Sequence, residues 1–117
     1  MSIGISVQTR NTTMFVDLNG ELDHHTSEEV RTKLTSVIAE HEIKNIIFNL
    51  KRLNFMDSSG IGIILGRYNQ LKEVNGRIFV VGMNPLVSKV FKLSGLNKII
   101  DVIENETEIT KILEEVC

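Results

Sequence analysis

The stretch Ile46-Ile47-Phe48-Asn49-Leu50, followed by Asp57-Ser58-Ser59-Gly60 and then by the helix-like run from Ile61 to Val74, reads as a strand handing over to a helix through a short polar junction. The run from Asn45 to Leu50 is short, apolar and rich in β-branched residues, which predicts a strand buried on both faces. Beyond the junction Ile61, Ile64, Leu65, Tyr68, Leu71 and Val74 recur at helical spacing and predict a broad apolar face. Asn75-Gly76 ends that helix with a residue able to take positive φ. The first N–H groups of a helix have no internal partners and carry the positive end of the macrodipole, so hydroxyls placed there have two readings. Ser58 or Ser59 is the N-cap, as Ser and Asp are preferred at that position; or a serine is modified and read, a phosphate being welcome at the same N–H groups.

Working outward, Ile3, Ile5 and Val7 alternate, Asn11-Thr12-Thr13 predicts a turn, and Met14 to Leu18 alternates again, which makes an antiparallel pair. Thr26 with Glu29 is a candidate capping box for a helix carrying Val30, Leu34, Val37 and Ile38, closed by Glu40-His41-Glu42. Arg77 to Val81 is a further strand. Asn84-Pro85 is a cap followed by proline at the first helical position, leading through Leu86, Val87, Val90 and Phe91 to a stop at Gly95. Ile99 to Ile103 closes the sheet, and Asn105 with Glu108 caps a last helix striped by Ile109, Ile112, Leu113 and Val116. Strand and helix alternation after an opening hairpin predicts one α/β domain over residues 1–117, with about five strands and four helices around one sheet. Partners of such sheets meet the carboxyl ends of the strands, where Asp57-Ser58 and Asp23 are expected.

A chain of 117 residues, 42% hydrophobic and 24% charged, fits a soluble globular domain. A net charge of −2 and the absence of any Lys/Arg run beyond Lys51-Arg52 exclude nucleic acid as the main partner. Cys117 is the only cysteine, so no internal disulfide forms and a reducing, cytoplasmic setting is expected. The N-terminal residues lack the regions of a signal peptide, and Ile61 to Leu65 is too short to span a bilayer.

Three catalytic or cofactor readings fail on spacing. Gly60-Ile61-Gly62-Ile63-Ile64-Leu65-Gly66 has one residue too many between its last glycines for a dinucleotide fingerprint. His24-His25 have no accompanying ligands at zinc spacing and read as solvated loop residues expected to point apart, so no metal is expected. A hydrolase built on Ser58, with His24 or His25 as base and Asp23 or Asp57 as orienter, wants glycine where Met56 stands. The protein is therefore not expected to be an enzyme and no cofactor is expected. Glycine inside a helix costs about 1 kcal/mol relative to alanine, so Gly62 and Gly66 need a reason: tight packing on the sheet, or a flat surface for a partner. Gly62, one turn beyond Ser58, is assigned to docking.

The string Leu53-Asn54-Phe55-Met56-Asp57-Ser58-Ser59-Gly60-Ile61-Gly62 resembles the signature of the STAS domains that serve as anti-sigma factor antagonists. Phe15 to Asp23 resembles the family's second strand and following loop, and Gly82-Met83-Asn84-Pro85 through Leu93-Ser94-Gly95-Leu96 its third helix and turn. With Ile64-Leu65-Gly66-Arg67-Tyr68 the resemblance is greatest to the sporulation branch, whose members oppose the anti-sigma factor that holds the sporulation sigma factor F. The resemblance implies a small mixed sheet and a phosphorylated serine at Ser58. It also implies a surface of Asp23, Asp57, Ser58, Ser59, Gly60 and Gly62 for an anti-sigma factor that is itself a serine kinase, and a metal-dependent serine phosphatase that reverses the modification. No nucleic acid or membrane partner is expected, and the free protein is expected to be a monomer. A rival reading is a small-ligand module holding a nucleotide or anion at the same helix N-terminus.

Overall fold

The computed structural model describes residues 2–104 and 106–116, the side chains of Glu106 and Val116 excepted. Among them the element order is β1 (Ile3–Arg10), β2 (Thr13–Leu22), α1 (Ser27–Glu40), β3 (Asn45–Met56), α2 (Ser58–Lys72), β4 (Arg77–Val81), α3 (Pro85–Ser94), a 3-10 turn (Leu96–Lys98), β5 (Asp101–Ile103) and α4 (Glu106–Val116). The five strands form one mixed sheet in the order β1-β2-β3-β4-β5, antiparallel between β1 and β2 and parallel elsewhere. This is the α/β class that the strand and helix alternation predicts. Among the described residues no helix is long and apolar enough to cross a membrane.

The central strand β3 is buried on both faces. Ile46, Phe48 and Leu50 join Leu18, Leu34, Ile64, Val87 and Phe91 in the main core under α1, α2 and α3. Ile47 faces the other way, into a smaller cluster with Phe79, Val81 and Ile103 that Ile109, Ile112 and Leu113 of α4 partly cover. The predicted cap at Asn105, the side chain of Val116 and Cys117 lie outside the described residues. Asn84 caps α3 as its sequence predicts: its Oδ1 accepts the Val87 N–H at 2.8 Å, Pro85 occupies the first turn, and Gly95 ends the helix in the left-handed region at φ 84°. Asn75 takes the other predicted left-handed position, at φ 55°.

Several boundaries differ from the sequence expectation, each for a tertiary reason. Strand β3 continues past Leu50 to Met56 because β2 also continues, to Leu22, and pairs with it. Ile99 is exposed and only residues 101–103 form the last strand, since Leu96–Lys98 takes a 3-10 turn first. The predicted capping box on α1 does not form. The Thr26 hydroxyl turns back to donate to the Glu21 carbonyl at 2.7 Å, and Thr26 makes no side-chain cap bond.

Candidate functional site

The site is built by the register between β2 and β3. From the pair Asp17 and Asn49 to the pair Leu22 and Met56, β2 advances five residues and β3 seven, the difference being absorbed in two irregularities. Both strands thus end on the same rung, and the Asp57 N–H donates to the Leu22 carbonyl at 3.3 Å. Asp23 and Asp57, distant in sequence, leave the sheet side by side at its carboxyl edge. Strand β4 pairs with β3 only as far as Asn49, so the later part of β3 lacks that neighbour. The Asn84 side-chain amide donates to the Leu53 carbonyl at 3.2 Å and satisfies one of the acceptors left over.

At the junction the capping role falls to neither serine. Asp57 is the N-cap: its Oδ1 accepts the Ser59 N–H at 2.9 Å and its carbonyl accepts from Gly60 and Ile61 at 3.0 and 3.3 Å. The expectation that a serine caps this helix is corrected, because the carboxylate stands one residue earlier and reaches the orphan N–H first. Ser58 is consequently the first residue of α2, exposed, and no hydrogen bond among the described residues holds its hydroxyl. Ser59 is half-buried behind it.

Of the apolar face that the spacing predicts for α2, Ile64 and Leu71 are buried and Ile61 and Tyr68 pack against the core, while Leu65 and Val74 do not. The buried side of α2 is Gly60, Ile63, Ile64 and Leu71, whereas Leu65 is 38% exposed and Val74 lies beyond the helix, exposed. The outward stripe is therefore Ser58, Gly62 and Leu65, at i, i+4 and i+7. Leu65 belongs with the candidate surface, although its spacing from Ile61 and Ile64 predicts a core position. The signal that would have found it is a helical wheel centred on Gly60. Exposed Phe55, on the strand leading into the junction, is a second apolar group at this edge.

The three glycines of this helix differ in what surrounds them. A Cβ on Gly60 would meet Met56 Cγ at 2.5 Å and Leu22 Cγ and Cδ2 at 2.9 Å, so this buried glycine lets α2 settle on the ends of β2 and β3. It presents no surface of its own, which removes a side-chain contact from the expectation for Gly60. A Cβ on Gly62 or Gly66 would meet nothing within 4 Å. Tight packing is thus excluded as the reason for glycine at both positions.

Asp23 is nearly buried and serves as the acceptor for its loop. Its Oδ1 receives the N–H groups of His25 at 2.9 Å and Thr26 at 3.0 Å, and shares with the nearer Glu21 carbonyl the single proton of the Thr26 hydroxyl, 3.2 Å away. Burial opposes its ionisation, but these bonds outweigh it, with protonatable His25 adding to them, and hold the carboxyl below the usual carboxylate range. A folded-state pKa below the unfolded one contributes stability that is present above the unfolded pKa, about 4, and is lost as pH falls through the lowered value. Asp23→Asn should therefore melt below the parent at pH 7, and the gap should narrow as thermal unfolding is repeated toward pH 3. A gap independent of pH would remove the charge from this account. His24 and His25 are exposed, and their rings meet edge to face at 5.7 Å instead of pointing apart. Among the described residues no three His, Cys, Asp or Glu side chains gather as a metal site.

The model of the STAS domain matches residues 4–109. The chain belongs to the STAS domain family. Among curated STAS relatives, the anti-sigma F factor antagonist of Paenibacillus polymyxa is 40% identical over 116 residues, covering 99% of each chain. Among solved structures, the anti-sigma factor antagonist SpoIIAA in its unphosphorylated form is 35% identical, with a TM-score of 0.83 over 97% of this chain and 99% of that one. The Bacillus cell fate determinant SpoIIAA in the phosphorylated form is 36% identical, with a TM-score of 0.72 over 93% of this chain and 99% of that one.

Proposed function

We propose that this STAS domain is an anti-sigma factor antagonist switched by phosphorylation of Ser58. The observation that carries the reading is the division of labour at the α2 N-terminus: Asp57 caps the helix, leaving the neighbouring Ser58 hydroxyl exposed and unbonded for a kinase. The names of the relatives support the same reading, since the related SpoIIAA exists in phosphorylated and unphosphorylated forms.

The unmodified protein binds an anti-sigma factor through the surface around Ser58, with Asp57, Ser59, Gly62 and Leu65 at the contact, Asp23 shaping the adjacent loop from its buried position and Gly60 holding the helix against the sheet. Binding displaces the sporulation sigma factor F. The anti-sigma factor is also the serine kinase, transferring the γ-phosphoryl group of ATP to the Ser58 oxygen with loss of its proton, and a metal-dependent phosphatase hydrolyses the ester. The antagonist itself performs no chemistry. A phosphate brings about −1.5 to −2 charge at neutral pH, set next to Asp57 and near Asp23 in a surface that docking would desolvate. Like-charge repulsion and a buried unpaired charge both oppose the complex.

Incubation with the anti-sigma kinase and ATP, followed by phosphopeptide mapping, tests this. Nearly all label should sit on Ser58, and Ser58→Ala should lose it. Label on Ser59, or label retained in Ser58→Ala, would overturn the assignment.

A further inference from the structure

Against the expectation from the sequence that no membrane partner exists, we propose that the outward face of α3, with the turn after it, is a docking surface for an anionic lipid bilayer. From Met83 to Ile100 the chain carries Lys89, Lys92 and Lys98 and no acidic residue, although its net charge is −2. Helix α3 turns Val87 and Phe91 into the core. Its opposite side carries Leu86, Lys89 and Leu93 on one stripe, flanked by Lys92. Leu93 is 79% exposed and Leu86 50%, and the following turn adds exposed Lys98 and Ile99. A solvated helix face is normally polar, so leucines standing out at this exposure among lysines mark a contact surface.

The side-chain chemistry selects the occupant. Protein interfaces are anchored by Trp, Tyr and Arg and depleted in Lys. This face has no arginine and no exposed aromatic residue, only aliphatic tips and ammonium groups on flexible stems. Lysines lay their methylene stems on apolar surface and keep the charge at headgroup level, while leucine tips enter the acyl boundary. Each lysine near an anionic leaflet strengthens association by about fivefold. Because Val87 and Phe91 keep the helix on the sheet, only side-chain tips engage, so binding is shallow and reversible. The inference does not rest on the phosphorylation reading, since its residues lie on a different helix from Ser58.

Co-sedimentation of the full chain with vesicles containing about one-third phosphatidylglycerol in phosphatidylcholine tests it. Saturable binding is expected at low salt, with loss on pure phosphatidylcholine and in about 0.5 M salt. Lys89→Gln with Lys92→Gln should weaken binding by about 25-fold, and Leu93→Ser by about fivefold, without lowering the melting temperature. The control pair Lys44→Gln with Lys111→Gln should bind nearly as the parent does. No binding to the anionic vesicles, equal binding to neutral ones, or an equal loss in the control pair would overturn the proposal. So would patch variants that keep vesicle binding and lose the anti-sigma factor, which would assign the face to a protein.

Discussion

Ser58→Asp is expected to bind the anti-sigma factor roughly ten- to a hundredfold more weakly than Ser58→Ala, the equivalent of about 1.5–3 kcal/mol of like-charge and desolvation cost. Ser58→Ala should bind much as the unmodified parent does, because the hydroxyl holds nothing in the free protein and the cap is supplied by Asp57. The added carboxylate stands one residue from the Asp57 carboxylate and near Asp23, whose charge its loop already stabilises. In the free protein that crowding is tolerated, since solvent reaches the exposed position and the helix N-terminus favours negative charge. On docking, solvent leaves and the repulsion is no longer screened. Calorimetric titration of both variants at two ionic strengths checks this. Equal affinities would remove charge from the switch and leave an order change or a steric block as its basis.

The second large effect separates two glycines two residues apart on α2. Gly60→Ala is expected to lower the melting temperature by roughly 4–12 °C, since its methyl group must displace Met56 and Leu22 and overpacking of this kind costs about 1–3 kcal/mol. Gly62→Ala, with open space at its Cβ, should be neutral or stabilising by up to about 1 kcal/mol from helix propensity alone. Gly62→Leu should then keep the parent melting temperature and lose anti-sigma binding, because a leucine at this point of the outward stripe stands between α2 and anything covering Ser58. Melting curves and titrations on the same three variants read the two roles apart. A Gly62→Leu protein that binds normally would remove the glycine from the interface, and one that melts early would return it to packing.

Much of the fold was legible along the chain because its signals are local. The opening hairpin, the apolar run of β3, the Asn84-Pro85 start and Gly95 stop of α3 and the positive φ at Asn75 depend on neighbours a few residues away. The position of the serine junction was legible for the same reason, and the family resemblance rested on that local string. What failed were features decided across elements. Asp57, Ser58 and Ser59 were each acceptable caps by type, and the choice fell to the residue whose backbone leaves β3 in extended conformation. Thr26 and Glu29 had capping-box spacing, yet the Thr26 hydroxyl donates to the Glu21 carbonyl and accepts the Asp23 N–H.

By itself the sequence determined the element order, the class of sheet and the site's place at a strand-to-helix junction, because hydrophobic period, caps and turn residues act over a turn or a pleat. Only the tertiary structure decided that β3 outruns β2 by two residues and still ends beside it, which sets Asp23 against Asp57. It also decided which side of α2 faces the sheet, and so that Leu65 joins Ser58 and Gly62 outside while Gly60 is pressed onto Leu22 and Met56. A helix with apolar residues on nearly every side has no unique buried face until a second surface is brought against it, and that surface is made by strands from elsewhere in the chain.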